Sequence, residues 1–335
     1  MNAVTELATL PIEVAAPDIT RWKVGSVGVP YVHERCAAQA DPSGPDVLVT
    51  ALVHGNEYSG AIAIAELLAC NWLPTRGRVT FAFCNVAAFA RFDLAQPDAA
   101  RFVDEDFNRV WSDSRLESNE QSTKLTTEVS RAHELLPFVA RATHLLDLHS
   151  MHERGAPLLV TGMLQRNIDF AQALQTASQV IIDIGHAEGV RMRDYGAFAD
   201  SAGERIALLL EAGQHWQASS VAVARNMLAR FLVAAGSVSQ LEVNTSSLKD
   251  WLQPDTVPPA PVRVTDRIVA QSMDFVFTDA FTGGEVIAKA GTVIAHDAGH
   301  AVVTPHDECV LVMPSVRQLR PGVTVVRLGQ YIQAI

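Results

Sequence analysis

Residues 46–72 read DVLVTALVHGNEYSGAIAIAELLACNW and combine two kinds of structure. Residues 46–53 are mostly apolar, which is typical of a buried strand, whereas the part from Tyr58 onward is rich in alanine, isoleucine and leucine and favours a helix. The polar tetrapeptide HGNE, residues 54–57, lies between them. The stretch therefore predicts a strand, a short polar loop and a helix in succession.

The same alternation continues along the chain as far as residue 235. Further apolar runs lie at 79–84, 143–148, 157–162, 180–185 and 205–211, and helical patterns lie at 116–140, 166–178 and 216–235. Alternating strands and helices predict an α/β fold around a largely parallel sheet. The ligand crevice of such a sheet lies beyond the carboxyl ends of its strands, so polar residues there are the first candidates for a site. His54, His149 and Glu211 each end an apolar run.

The composition changes after residue 251. Residues 252–263, LQPDTVPPAPVR, contain four prolines, which disfavour a helix and favour an extended linker. Short β-branched runs separated by glycine and proline follow, and this pattern is typical of a small all-β unit. We therefore expect an α/β domain over 1–251, a proline-rich linker over 252–263 and a small β barrel or sandwich over 264–335.

Composition narrows the classes of function. The chain carries a formal net charge of −11 with no lysine-rich or arginine-rich run, which argues against a nucleic-acid partner. Neither a run of about eighteen apolar residues nor a basic N-terminal segment is present, so we expect a cytoplasmic protein with no membrane partner. The four cysteines form no CxxC pair and lie in apolar stretches, which predicts buried, reduced thiols. The oligomeric state stays open, including a homo-oligomer.

The HGNE loop supplies the first candidate metal ligands. His54 ends a strand and Glu57 begins a helix, so their side chains can converge on one point, and His149 can add a third ligand from another strand end. A catalytic zinc site has three protein ligands and an open position for water. Asp147 is placed to orient His149, as carboxylates do for ligating imidazoles. The competing interpretations are a capping glutamate beside a packed histidine, and His152 as the ligand instead.

Residues 100–111, ARFVDEDFNRVW, form a second polar stretch, in which Arg101, Asn108 and Arg109 stand out against an acidic background. An arginine fork binds a carboxylate through two parallel hydrogen bonds, so this stretch is a candidate for substrate binding. The alternative is that both arginines only neutralise the neighbouring aspartates and glutamate on a solvated loop.

Glu211 is the candidate general base. It follows an uninterrupted apolar strand and precedes Gly213, so its carboxylate emerges in the predicted crevice partly shielded from water. Desolvation raises the pKa of a carboxyl group, which suits a base that works near neutral pH. Glu242, in QLEVNT, is the rival, but it lies close to the predicted linker, where a structural role is commoner.

Four motifs occur in the order HGNE, RFVDEDFNR, DLHS and LEAG. Together they resemble the succinylglutamate desuccinylase/aspartoacylase family, a branch of the zinc carboxypeptidase superfamily, over roughly residues 45–250. The resemblance implies a carboxypeptidase-like α/β domain with a mixed sheet flanked by helices, followed by a smaller all-β domain.

The resemblance also implies roles at matching positions. It implies one zinc ion per chain, held by His54, Glu57 and His149. It implies a catalytic pair, in which Glu211 is the base and Arg101 polarises the scissile carbonyl. Asn108 and Arg109 would bind a carboxylate of the substrate.

One departure from the family pattern limits the prediction of substrate. Members that prefer a dicarboxylic substrate carry a further arginine about ten residues before the catalytic glutamate, where this chain has Ser201; Arg193 and Arg205 lie nearby but out of register. We therefore predict a zinc-dependent hydrolase of the amide bond in an N-acyl amino acid or a similar small carboxylate-bearing amide. The alternatives are a zinc carboxypeptidase that acts on peptides and a non-catalytic metal-binding protein. A C-terminal domain that covers the site would favour small substrates.

Overall fold

A computed structural model describes residues 10–38, 44–116, 125–185 and 188–332. The helices are α1 Ser59–Ala69, α2 Val86–Phe89, α3 Asp113–Leu116, α4 Thr127–Arg141, α5 Gln165–Ala173, α6 Ala218–Ala234 and α7 Gln240–Val243. The strands are β1 Val32–Cys36, β2 Asp46–Ala51, β3 Arg78–Phe83, β4 His144–Met151, β5 Leu158–Val160, β6 Gln179–Ile182, β7 Ile206–Gln214, β8 Val262–Val269, β9 Val276–Phe277, β10 Val286–Ile287, β11 Val293–Asp297, β12 His300–Val303, β13 Cys309–Val312 and β14 Thr324–Tyr331.

The main sheet has eleven strands in the order β1-β3-β2-β4-β7-β5-β6-β8-β14-β13-β10. Its centre, β3-β2-β4-β7, is parallel, but β1 runs antiparallel to β3 and β5 runs antiparallel to β7. Only residues 152–157 separate β4 from β5, too few for the helical crossover that a parallel connection requires. β6 is parallel to both β5 and β8. The sheet is therefore mixed, as the family resemblance implied, and its parallel pairs lie at the centre and between β5 and β8.

Helices bury both faces of the central strands. α1 and α6 cover one face, where Leu148 of β4 belongs to the same apolar cluster as Leu67 and Phe231. On the other face, Leu145 of β4 packs in a second cluster with Leu135 of α4. Burial on both faces explains why the strand sequences are continuously apolar rather than alternating.

The C-terminal part consists of strands, as predicted. β8 pairs in parallel with β6 and antiparallel with β14, so the main sheet continues into this part, and β12-β11-β9 form a separate antiparallel sheet. β8 begins at Val262, so the last two residues of the predicted linker belong to this strand. The division at residues 251 and 263 stays a prediction, because one sheet joins the two parts.

The cysteines only partly match expectation. All four are free, but only Cys84 and Cys309 are buried, whereas Cys36 and Cys70 are exposed, so the prediction of buried thiols was wrong for two of them.

Among the described residues, no helix is both long enough and apolar enough to span a bilayer.

Candidate active site

Two neighbouring parallel strands bring the predicted metal ligands together. β2 leads to His54, β4 carries His149, and Glu57 lies just before α1. The Nδ1 atoms of His54 and His149 each lie 2.8 Å from a different oxygen of Glu57. One ligand atom from each of the three buried side chains lies within 4.8 Å of the others. These residues therefore form one group with the composition of a metal site.

The outer nitrogens of both imidazoles meet carboxylates. Nε2 of His149 lies 2.8 Å from Asp147 Oδ2, and Nε2 of His54 lies 3.0 Å from Asp106 Oδ1. Asp147 Oδ1 in turn accepts a 2.7 Å hydrogen bond from Thr50. Carboxylates in this position fix the orientation of ligating histidines. The contact predicted for Asp147 is thus present, whereas sequence reasoning did not single out Asp106, although it lies inside the RFVDEDFNR motif.

The same contacts determine the charge states of His149 and Glu57. Burial alone would lower the pKa of His149, but the carboxylates of Asp147 and Glu57 hold that pKa well above 6.5. Burial likewise opposes ionisation of Glu57, yet His54 and His149 hold the pKa of this carboxyl well below 4.5. Glu57 is therefore an anionic carboxylate that faces two imidazoles.

A close backbone approach places Arg101 beside this group. The Gly55 amide donates to the Arg101 carbonyl at 3.0 Å, and a Cβ at Gly55 would lie only 2.4 Å from the carbonyl oxygen of Ala100. The guanidinium of Arg101 donates to Glu57 Oε1 at 3.1 Å, and its Nη2 lies 2.9 Å from His54 Nε2. The site thus requires glycine in the HGNE loop, because any side chain would push Arg101 away.

Glu211 also reaches the crevice. It lies directly opposite His149 in the pairing of β4 with β7. Its Oε2 is buried and has no hydrogen-bond partner among the described residues. Burial, and to a smaller extent the nearby charge of Glu57, raises the pKa of Glu211 to about 8. Its rival Glu242 instead completes a capping box with Ser239 at the start of α7, away from the crevice.

Asn108 and Arg109 lie next to the metal-ligand group, and both line the same cavity. Asn108 Oδ1 accepts from the backbone amide of Met192 at 3.0 Å, so the side-chain amide hydrogens remain to donate. Burial lowers the pKa of Arg109 to about 10, and its Nη2 lies 3.9 Å from Asp106. An arginine at this pKa stays cationic at neutral pH. The polar loop therefore lies in the crevice and not on a solvated surface.

The cavity has a volume of about 610 Å³ and lies between the two parts of the chain. The site residues line one part of it, and the C-terminal part of the chain contributes Val310 and Val312 of β13 together with Thr282 and Gly283 from the loop between β9 and β10. Gly155 and Gly283 form a β-bridge where the two parts meet at its edge. This volume falls within the range of about 300–1,000 Å³ that is typical of small-molecule sites.

The arginines closest in sequence to the family's missing one do not reach the cavity. Arg193 is fully buried and donates to the carbonyl of Ala207 at 3.2 Å, and Arg205 donates to the carbonyl of Ala140. Ser201 lies in an exposed turn. None of these positions takes the place of a second substrate arginine.

Other cationic residues line the cavity instead. Arg191 donates to Asp183 Oδ2 at 3.1 Å, and Arg327 Nε lies 3.3 Å from the same oxygen. The sequence analysis did not single out Arg191, Asp183 or Arg327. No local pattern signals a contact between residue 183 and residue 327. His152, the alternative ligand, lies outside the first group and belongs to a second cluster with Asp98 and His215.

Fold and site define a class of protein: a carboxypeptidase-like mixed sheet flanked by helices, with a smaller β region and a His-Glu-His group at the strand ends. A model of the Succinylglutamate desuccinylase/Aspartoacylase catalytic domain matches residues 43–234. The chain belongs to the succinylglutamate desuccinylase/aspartoacylase family, as the order of its motifs predicted. Members of this family are hydrolytic deacylases.

Individual proteins are similar to this chain over most of its length. The chain is 27% identical over 321 residues to a succinylglutamate desuccinylase from Burkholderia lata, a match that covers 92% of this chain and 85% of that protein. A succinylglutamate desuccinylase/aspartoacylase structure from Rhodobacter sphaeroides matches with a TM-score of 0.62 at 16% identity, covering 90% of this chain and 88% of the other. The product-bound ectoine utilization protein EutE (DoeB) from Ruegeria pomeroyi matches with a TM-score of 0.59 at 17% identity, covering 96% and 97%. The structural matches confirm the predicted fold class.

Proposed function

We propose that this protein is a zinc-dependent hydrolase that cleaves the amide bond of a small N-acyl amino acid. The observation that carries the proposal is the convergence of His54, Glu57 and His149 in one buried crevice, beside Arg101 and an unpartnered oxygen of Glu211. A metal site, a cationic group and a base within one cavity are the parts that amide hydrolysis requires.

The donor set fits zinc. Two imidazole nitrogens and one carboxylate are common zinc ligands, and their partners Asp106 and Asp147 hold the outer imidazole nitrogens. When bound, zinc lowers the pKa of a water molecule toward neutrality and polarises a carbonyl oxygen. We therefore assign His54, Glu57 and His149 as the ligands of one zinc ion at this position.

Glu211 is suited to move the proton. Its Oε2 can accept a proton from the attacking water, because no described group already donates to this buried oxygen. The same oxygen can then donate the proton to the departing amine. A buried carboxyl whose pKa has been raised by its surroundings is matched to proton transfer near neutral pH.

Arg101 and the neighbouring polar pair have separable tasks. Arg101 contacts Glu57 directly, and this position beside the proposed metal ligands supports assigning its guanidinium to the negative charge that develops on the reacting carbonyl oxygen. Asn108 and Arg109 line the cavity and offer an amide donor and a planar fork, which match a free carboxylate of the substrate. In a chain of net charge −11, these arginines also offset the field that repels an anion.

The shape of the cavity favours a small substrate over a peptide. The C-terminal strands contribute to its wall and approach the catalytic part at the Gly155–Gly283 bridge, whereas a carboxypeptidase needs an open groove. The relative from Burkholderia lata is named a succinylglutamate desuccinylase, but Ser201 replaces the family's second arginine here. We therefore propose an N-acyl amino acid and leave its acyl group to experiment. Glu211 Oε2, which is buried beside these residues and has no hydrogen-bond partner in the described part of the chain, argues against a non-catalytic metal-binding protein.

Two measurements together test the proposal. Metal analysis of the purified protein should find zinc, and a screen of N-acetyl and N-succinyl amino acids should identify one that releases free amine. Glu211→Gln should retain the metal and lose most turnover, whereas the matched control Glu242→Gln should retain activity. Activity that survives Glu211→Gln, or loss of activity in Glu242→Gln instead, would overturn the assignment of the base.

A further inference from the structure

A second cluster of ligand-type side chains lies outside the proposed catalytic group. Asp98 belongs to a short 3-10 helix, Pro97–Ala100, while His152 follows β4 and His215 follows β7. One nitrogen or oxygen from each residue lies within 4.8 Å of the other two. Three elements far apart in sequence thus bring two imidazoles and a carboxylate to one point.

The distances suit a metal ion. Nε2 of His215 lies 3.1 Å from Nδ1 of His152, which lies 3.4 Å from Asp98 Oδ1. Bonds of about 2.0–2.1 Å in a tetrahedral zinc site place neighbouring ligand atoms roughly 3.3 Å apart. We propose that Asp98, His152 and His215 bind a second divalent cation of the zinc type.

The surroundings of His215 orient it as a ligand. Its ring is fully buried, and its Nδ1 lies 2.9 Å from the hydroxyl of Ser150. When Nδ1 donates to this hydroxyl, Nε2 carries the lone pair and faces the other two residues. An oxygen acceptor on the outer nitrogen is the usual companion of a ligating histidine.

An ion can reach this cluster from outside. His152 lines the large cavity of about 610 Å³, and Asp98 lines a smaller one of about 290 Å³ beside it. Arg101 and Phe102 line both cavities. The cluster therefore lies between two cavities. An ion could enter it after the chain has folded.

A bound ion would fix the chain next to the proposed catalytic centre. Asp98 precedes Arg101 by three residues, so its coordination would tie this segment to the ends of β4 and β7. We expect an ion with a positioning role, separate from the one that His54 and His149 bind. The inference does not rest on the proposed function, because its ligands are different residues.

Metal stoichiometry tests the inference directly. Metal-free, full-length protein is titrated with Zn²⁺ by calorimetry and checked by elemental analysis after equilibrium dialysis. The wild type should bind two equivalents, and His152→Ala and His215→Ala should each bind one. His300→Ala removes an exposed histidine of β12 and should still bind two, as the matched control.

Ser150 supplies a finer test. Ser150→Ala removes the hydroxyl that orients His215 but keeps the backbone amide that donates to Glu57 at 3.2 Å. It should weaken the second equivalent by about 10–100-fold and leave the first unchanged. A variant that lost only packing would not show this selective change.

Three results would overturn the inference: a wild type that binds no ion or only one that His215→Ala leaves in place, a His215→Ala variant that still binds two, or equal effects on both equivalents in Ser150→Ala. If His215→Ala does not fold, Asp98→Asn at the partly exposed end of the cluster serves in its place. His54→Ala keeps the two proposals apart. A protein that binds one equivalent, keeps it after His54→Ala and loses it in His215→Ala would refute the catalytic site and support this one.

Discussion

Replacing Glu211 with glutamine should change how the stability of the metal-free protein depends on pH. Burial raises the pKa of this carboxyl from 4.5 to about 8 in the folded protein. Between these two values the folded state holds a proton that the unfolded chain has released. The folded state is therefore favoured at low pH, and this contribution is lost as the pH rises through the window from about 4.5 to 8.

The size of the effect follows from the same shift. One pKa unit corresponds to about 1.4 kcal/mol, so each pH unit inside the window costs the wild type about that much free energy of unfolding. From about pH 5.5 to about pH 7.5 the loss from Glu211 alone is on the order of 3 kcal/mol. Glu211→Gln does not titrate, so its amide shifts stability equally at both pH values.

Urea unfolding at these two pH values, with a chelator present, measures the effect. The wild type should lose about 3 kcal/mol more than Glu211→Gln between them. The pKa of Glu242 is lowered by hydrogen bonds from Ser239, so it titrates below this range, and Glu242→Gln should behave like the wild type. Equal losses in the wild type and Glu211→Gln would refute the reasoning. Saturating zinc should reduce the wild-type loss, because a nearby cation favours the carboxylate.

Arg101→Ala should lower kcat by about 10²–10³ with a smaller change in KM, and steady-state kinetics with an unchanged kcat would contradict its role at the reacting carbonyl. Arg109→Lys should mainly raise KM, since a point charge replaces a planar fork; equal kcat/KM for a free-acid substrate and its amide would rule out carboxylate selection. Asp147→Asn should weaken the first zinc equivalent by about 10–100-fold in chelator competition, and an unaltered affinity would show that its contact with His149 does not matter for binding. Phe231→Ala, in the fully buried core, should cost about 3–5 kcal/mol in urea unfolding while kcat/KM of the folded protein stays the same.

The local sequence was sufficient to predict the strands that position the site. An apolar run that ends in a polar residue is a local property, so His54, His149 and Glu211 could be found without knowing what surrounds them. Element boundaries were less accurate. β4 and β7 each continue three residues beyond their predicted ends, and α4 begins at Thr127 and not at residue 116. Residues 117–124 of that predicted helix lie outside the described residues.

Contacts between distant residues became visible only in the folded chain. Asp106 lies 52 positions from His54, yet its carboxylate meets the imidazole, because Gly55 lets the loop that carries Arg101 approach. The second cluster likewise joins His152 to His215 across 63 positions. No local pattern records such pairs.

The order of strands in the sheet accounts for the remaining differences between the fold expected from the sequence and the observed fold. The short link between β4 and β5 reverses the chain, and β5 inserts between β7 and β6, which makes the sheet mixed. β8 then extends this sheet into the C-terminal strands, whose residues 310 and 312 contribute to the cavity wall. Local propensity and hydrophobic pattern predict which segments become strands. The order in which strands pair depends on burying the apolar surfaces of all of them together, and this property belongs to the whole chain.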